Sequence, residues 1–159
     1  MKRMTLILMA LFGAACVTPT QQRVELLGQN VREWNADVRW ARYETAAAAM
    51  EPEEGRAFLK RVDQVEKDLI IADFEIINIK VGEPTTKATV IVRFEWYSQS
   101  RPVISSSVIE QRWEWKGGVW MVQEQKRLRG ERFALVPEPP TDVTPKATPE
   151  QAPTTPPAK

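Results

Sequence analysis

The chain has 159 residues, with 22 basic and 21 acidic side chains, one cysteine and no histidine. Without histidine there is no Ser-His-Asp or Cys-His site and no imidazole switch, and one cysteine permits neither an intrachain disulfide nor a multi-cysteine zinc site. A net charge of +1 lacks the basic excess of a nucleic-acid-binding domain, so no nucleic-acid partner, metal or other cofactor is expected.

At the N-terminus, Lys2 and Arg3 precede an apolar run from Met4 to Phe12 that only Thr5 interrupts. The run is far shorter than the roughly 20 apolar residues a membrane-spanning helix needs. Gly13, Ala14 and Ala15 supply the small residues of a signal peptidase site. A secretory signal over 1–15 is expected, with cleavage between Ala15 and Cys16. Gly13-Ala14-Ala15-Cys16 resembles the lipobox of bacterial lipoproteins. That resemblance implies a diacylglycerol on the Cys16 thiol, cleavage before it and acylation of the new N-terminus. Two or more acyl chains hold a protein stably on a membrane, whereas one does so marginally. Val17 stands where an Asp commonly retains Gram-negative lipoproteins at the inner membrane. In a Gram-negative source the resemblance therefore implies the outer membrane, facing the periplasm. Cleavage removes Lys2 and Arg3, so the mature chain is slightly acidic and has no global attraction to an anionic surface.

A short tether over 16–22 leads into a domain expected over 23–136. Val24, Leu27, Val31, Trp34, Val38 and Ala41 recur at spacings of three and four, which predicts one face of a helix over about 21–49. Trp40 and Tyr43 widen that face, and Ala46 to Ala49 extend it with strong helix formers. The stripe falls short of a coiled coil and fits packing on a core. Pro52 suits the first turn of a second helix, with Phe58, Val62, Val65 and Leu69 on its inner face.

After Asp68 the pattern becomes that of strands. Phe74, Ile76, Ile79 and Val81 alternate with a shift that predicts a bulge near Ile77. Gly82-Glu83-Pro84 turns the chain. Ala88, Val90, Val92, Phe94 and Trp96 share one face of the next strand. Beyond Gln99 to Pro102, a third strand places Ile109, Trp113 and Trp115 on one face and Glu110, Arg112 and Glu114 on the other. Gly117-Gly118 signals a two-residue hairpin, and Val119 to Leu128 returns with Trp120 and Val122 facing Trp113 and its neighbours. Phe133, Leu135 and Val136 are expected to cover a sheet edge. Residues 137–159 hold eight of the twelve prolines and predict a disordered tail with extended character.

The predicted fold class is α+β: two N-terminal helices on a curved four-stranded antiparallel sheet. The element order and Trp113-Trp115-Gly117-Gly118-Trp120 resemble the nuclear transport factor 2-like fold, a cone shared by ketosteroid isomerases and many noncatalytic modules. That resemblance implies an interior site in which an Asp base and a Tyr or Asp donor work together; Tyr43, Asp73 and Tyr97 are the residue types available. A pocket formed by Trp96, Trp113, Trp115, Trp120 and Tyr97 competes with the reading that the tryptophans fill the interface between sheet and helices. Lys126, Arg127, Arg129 and Arg132, with Glu131 among them, form the one local basic run; a solvated strand edge is the expected role. Ser105, Ser106 and Ser107 have no histidine or placed lysine to activate them. No catalytic residue is assigned. The expected function is a lipid-anchored envelope protein with a noncatalytic binding domain, held to the membrane through Cys16 and facing an envelope protein partner, its oligomeric state open. The alternatives are a cone-fold ligand carrier or enzyme, and a structural subunit of an envelope assembly.

Overall fold

The computed structural model describes residues 18–138; the expected signal, Cys16 and the tail from 139 onward lie outside the described residues. The elements are α1 (Pro19–Arg39), α2 (Tyr43–Ala48), α3 (Pro52–Val65), β1 (Leu69–Val81), β2 (Lys87–Ser98), β3 (Arg101–Lys116) and β4 (Val119–Gly130).

Helix α1 starts earlier than the periodicity alone places it. Thr18 accepts a hydrogen bond from the Gln21 N–H on its Oγ1 at 3.2 Å, and Pro19 occupies the first turn, where a missing N–H costs nothing. The helix therefore absorbs most of the expected 16–22 tether. Leu27, Val31, Trp34 and Val38 are buried along one face, as their spacing predicts.

The helix expected to run to residue 49 ends instead at Arg39. Ala41 adopts a left-handed φ of 55°. Its N–H reaches the Val38 carbonyl at 3.3 Å, and the Arg42 N–H reaches the Asp37 carbonyl at 2.8 Å. These two bonds are the Schellman pattern of helix termination, which normally uses glycine at the left-handed position. The reversal lets the Trp34 indole donate to the Ala46 carbonyl at 2.9 Å from the returning helix α2. Trp40, assigned by periodicity to the apolar face, is carried out to solvent at 63% exposure. The left-handed conformation costs a residue with a Cβ about 1 kcal/mol. Ala41→Gly is therefore expected to raise the unfolding free energy by about 0.5–1 kcal/mol in urea titration. A loss of stability would contradict this strain assignment.

Helix α3 begins with Pro52 and buries Phe58 and Val62. Leu69, expected on its inner face, opens β1 instead. Helices α2 and α3 approach closely at Gly55, where an added Cβ would lie 2.8 Å from the Ala47 carbonyl oxygen.

The sheet is an antiparallel meander in the order β1-β2-β3-β4. Its register shifts between Ile76 and Asn78, so the bulge falls at Ile77, where the shifted alternation predicts it; a second shift lies between Ile71 and Asp73. Gly117 and Gly118 both take positive φ, 56° and 92°, and Lys116 faces Val119 across them. Trp115 faces Trp120 and Trp113 faces Val122. The edge of β4 is tied down at Val122, whose N–H and C=O bond to Ala49 O (3.0 Å) and Glu51 N (2.8 Å) on the link between α2 and α3. One sheet face meets the helices. The other carries charged residues, with Arg93 paired to Glu75 and Arg112 to Glu124.

Two features of the interior were not predicted. Phe133, Leu135 and Val136, expected at an edge, are instead at most 4% exposed, inside the core. The strap over 131–136 turns inward after Gly130. Phe133 stacks on Phe94 at 5.1 Å and lies 5.8 Å from Trp96, and the Leu135 carbonyl receives the Arg61 Nε–H at 2.9 Å. The core also holds amides. Gln111 donates to Asn35 Oδ1 at 2.8 Å, and Asn35 donates to the Val31 carbonyl at 2.7 Å, both residues being fully buried. Gln125 sits opposite Gln111, with its Nε2 lacking a partner among the described residues.

Candidate functional site

The predicted aromatic constellation divides between the two ends of the sheet. Trp96 faces Ile71 and Ser105, whereas Trp113 faces Ala88, eight residues back along β2. At ~3.3 Å per residue, these two positions are about 26 Å apart. Strand alternation also turns Tyr97 to the face opposite Trp96. Trp96, Trp113, Trp115 and Trp120 share the helix-facing side, but they do not surround one space.

Every one of these indoles has an assigned neighbour. Trp113 meets Trp34 edge-on at 6.3 Å, and its N–H reaches Gln111 Oε1 at 3.3 Å. Trp120 donates to the Arg23 carbonyl at 2.9 Å and meets Trp115 edge-on at 5.6 Å. The Arg23 guanidinium lies over the Trp115 ring at 5.5 Å. Trp96 donates to Ser107 Oγ at 3.0 Å, and that hydroxyl donates to the Glu131 carbonyl at 2.6 Å. Ser107 is thus a structural clasp between β3 and the strap. Trp113 and Trp120 thus pack against α1, Trp115 lies half-buried beneath Arg23, and Trp96 packs against the strap rather than a helix.

The helix-facing side of the sheet, where the cone resemblance would place a ligand, is filled by the buried Phe133 and Leu135. The three residues that such a site would use are dispersed. Tyr43 packs edge-on against Phe58 at 6.1 Å, and burial first, then the Glu66 charge, holds its hydroxyl above the usual tyrosine range. Asp73 is exposed and pairs with Arg39 at 3.2 Å. Tyr97 lies on the outward face. No acid–base pair is assembled from them.

A groove of about 330 Å³ runs between α1, α2 and the start of β4. Its walls include Trp34, Trp113, Trp120 and Val119, and Glu33 and Asp37 stand on α1 beside them. Asp37 is already bonded to Arg42 at 2.7 Å, and Glu33 accepts from Gln29 at 2.7 Å. A cleft of about 420 Å³ at the end of the sheet is lined by Lys80, Lys87 and Arg112, with Glu114 and Glu124 as counterions. Among the described residues no cluster of acidic or cysteine side chains is arranged to hold a metal ion.

The basic run is partly neutralised. Arg127 makes a two-pronged bond to Glu138 at 3.1 and 2.6 Å and donates to the Gly130 carbonyl at 2.8 Å. The Glu138 bond raises the guanidinium pKa, and the guanidinium in turn holds Glu138 below the usual carboxylate range. Lys126, Arg129 and Arg132 remain exposed on the strand end. Cys16 and Ala15 lie outside the described residues. No family model, curated protein or solved structure matches this chain.

Proposed function

We propose that this chain is a lipid-anchored protein of a bacterial envelope whose α+β domain is a noncatalytic binding or interaction module. The observation that carries the reading is the placement of the only cysteine, Cys16, directly after Gly13-Ala14-Ala15 and an apolar run too short to cross a bilayer. The filled helix-facing side of the sheet and the separation of Tyr43, Asp73 and Tyr97 support a module that works through its surface. Among the described residues no helix is long and apolar enough to cross a membrane.

Cys16→Ser is expected to move the mature protein from the membrane fraction to the soluble fraction. Mass spectrometry of the wild-type N-terminal peptide should show a diacylglycerol adduct and an N-acyl chain. Membrane recovery of the Ser variant, or an unmodified cysteine in the wild type, would refute the anchor. For the interaction module, crosslinking in intact envelopes followed by pull-down should recover a specific envelope protein. Retention of a small ligand with no protein partner would favour a carrier instead.

A further inference from the structure

An anchor at Cys16 would constrain which end of the domain meets the membrane. Helix α1 is capped by Thr18, only two residues beyond Cys16. Two residues of extended chain span at most about 7 Å, so the start of α1 cannot move far from the bilayer surface. The Trp120 indole donates to the Arg23 carbonyl, and the Arg23 guanidinium covers Trp115. The second turn of α1 and the β3–β4 hairpin are therefore fixed at the same end of the molecule.

That end has an unusual make-up for a solvated tip. Val119 is 55% exposed and Val24 is 42% exposed. Gly117 and Gly118 are exposed beside Val119, and Trp115 is half-buried. The first turn of α1 carries no acidic residue. The one lysine at the hairpin, Lys116, is bridged to Glu51 at 3.0 Å and Glu114 at 3.3 Å, and the Arg23 guanidinium over Trp115 offsets the second carboxylate, which leaves these four groups balanced. Aromatic and apolar side chains with few uncompensated charges are what the headgroup region accepts.

We infer that the β3–β4 hairpin tip and the start of α1, through Val119, Val24 and Trp115, dock the domain onto the lipid surface as a second, apolar contact beside the acylated Cys16. The inference rests on the lipid-anchor reading. It assigns the domain an orientation: the Gly117–Gly118 turn faces the bilayer, and the β2–β3 turn at Gln99–Ser100 faces away. Ile104, 59% exposed, is an equally apolar site toward that far end. It stands about 40 Å from Lys116 along β3, beyond the reach of the tether.

The test uses the full-length, lipid-modified protein. Because acylation blocks the thiol of Cys16, Val119→Cys or Ile104→Cys supplies a single site for an environment-sensitive fluorophore. The protein is reconstituted into vesicles of phosphatidylethanolamine and phosphatidylglycerol containing a nitroxide-labelled lipid. Quenching at position 119 is expected to exceed that at position 104 by about threefold or more, and Val24→Asp should reduce the quenching at 119 by at least about half. Equal quenching at the two positions, or no response to Val24→Asp, would overturn the docking, including in favour of a hairpin tip reserved for a protein partner. Mass analysis of the same samples separates the two failures. Acylated protein bound to vesicles with an unquenched position 119 refutes the docking alone. Protein without the acyl groups refutes the anchor, and the docking with it.

Discussion

Phe133→Ala is expected to lower the unfolding free energy by about 3–5 kcal/mol, the range for emptying a large buried aromatic site. Phe133 is 1% exposed although it sits in an irregular segment near the end of the domain. Its ring stacks on Phe94 and meets Trp96, so its loss opens a void between the strap and the centre of β2. Neighbouring strands cannot close that void, because Phe94 and Val92 are held by pairing on both sides of β2. Urea titration followed by tryptophan fluorescence would measure the change. A loss below about 1 kcal/mol would mean that the strap lies outside the cooperative core.

Gly130→Ala is expected to cost about 2–4 kcal/mol. Gly130 has a φ of 89°, and a Cβ there would fall on the Ser106 carbonyl oxygen and lie 2.9 Å from Ser107 Cα. Both obstacles are backbone, so no side chain can rotate away. The substitution would push the chain off β3 where the Glu131 N–H bonds to the Ser106 carbonyl at 2.9 Å and the strap turns inward. Gly118 is the matched control. Its φ is nearly the same, 92°, and nothing lies within 4 Å of an added Cβ. Gly118→Ala should therefore cost only the conformational strain, about 1 kcal/mol. Equal losses for the two alanine variants would show that the close approach to β3 contributes nothing.

These two positions lie where the sequence was hardest to read. The strands were legible because alternation of apolar residues reports which face is buried, and even the slip at Ile77 leaves its mark as a phase change. The hairpin at Gly117-Gly118 was legible because only glycine takes both turn positions without strain. The strap has no period to betray it. Phe133, Leu135 and Val136 make a run too short to establish a period, and their burial depends on contacts with α3 and β2 made only in the folded chain.

The break at Ala41 was hidden for a related reason. Alanine favours helix, and neither glycine nor proline marks the turn; the Trp34 indole bond to Ala46 and the packing of α2 outweigh local preference. Of the site, alternation correctly puts four tryptophans on one face, but parity says nothing about distance along a strand, which separates Trp96 from the rest. The buried amide at Gln111 did have a signal, since it shares parity with Ile109 and Trp113 and so occupies an inward position.

The Asn35–Gln111 pair has a consequence for how α1 seats on the sheet. Apolar contacts alone would let a helix slide along a greasy surface at modest cost, because one branched side chain replaces another. A slide of one turn, about 5.4 Å, would strand both amides in the core, at a cost of about 1–3 kcal/mol for each unpaired group. The pair thus works as a detent. It admits one seating of α1 and rejects those a turn away, and it holds the start of the helix in a single position against the β3–β4 hairpin.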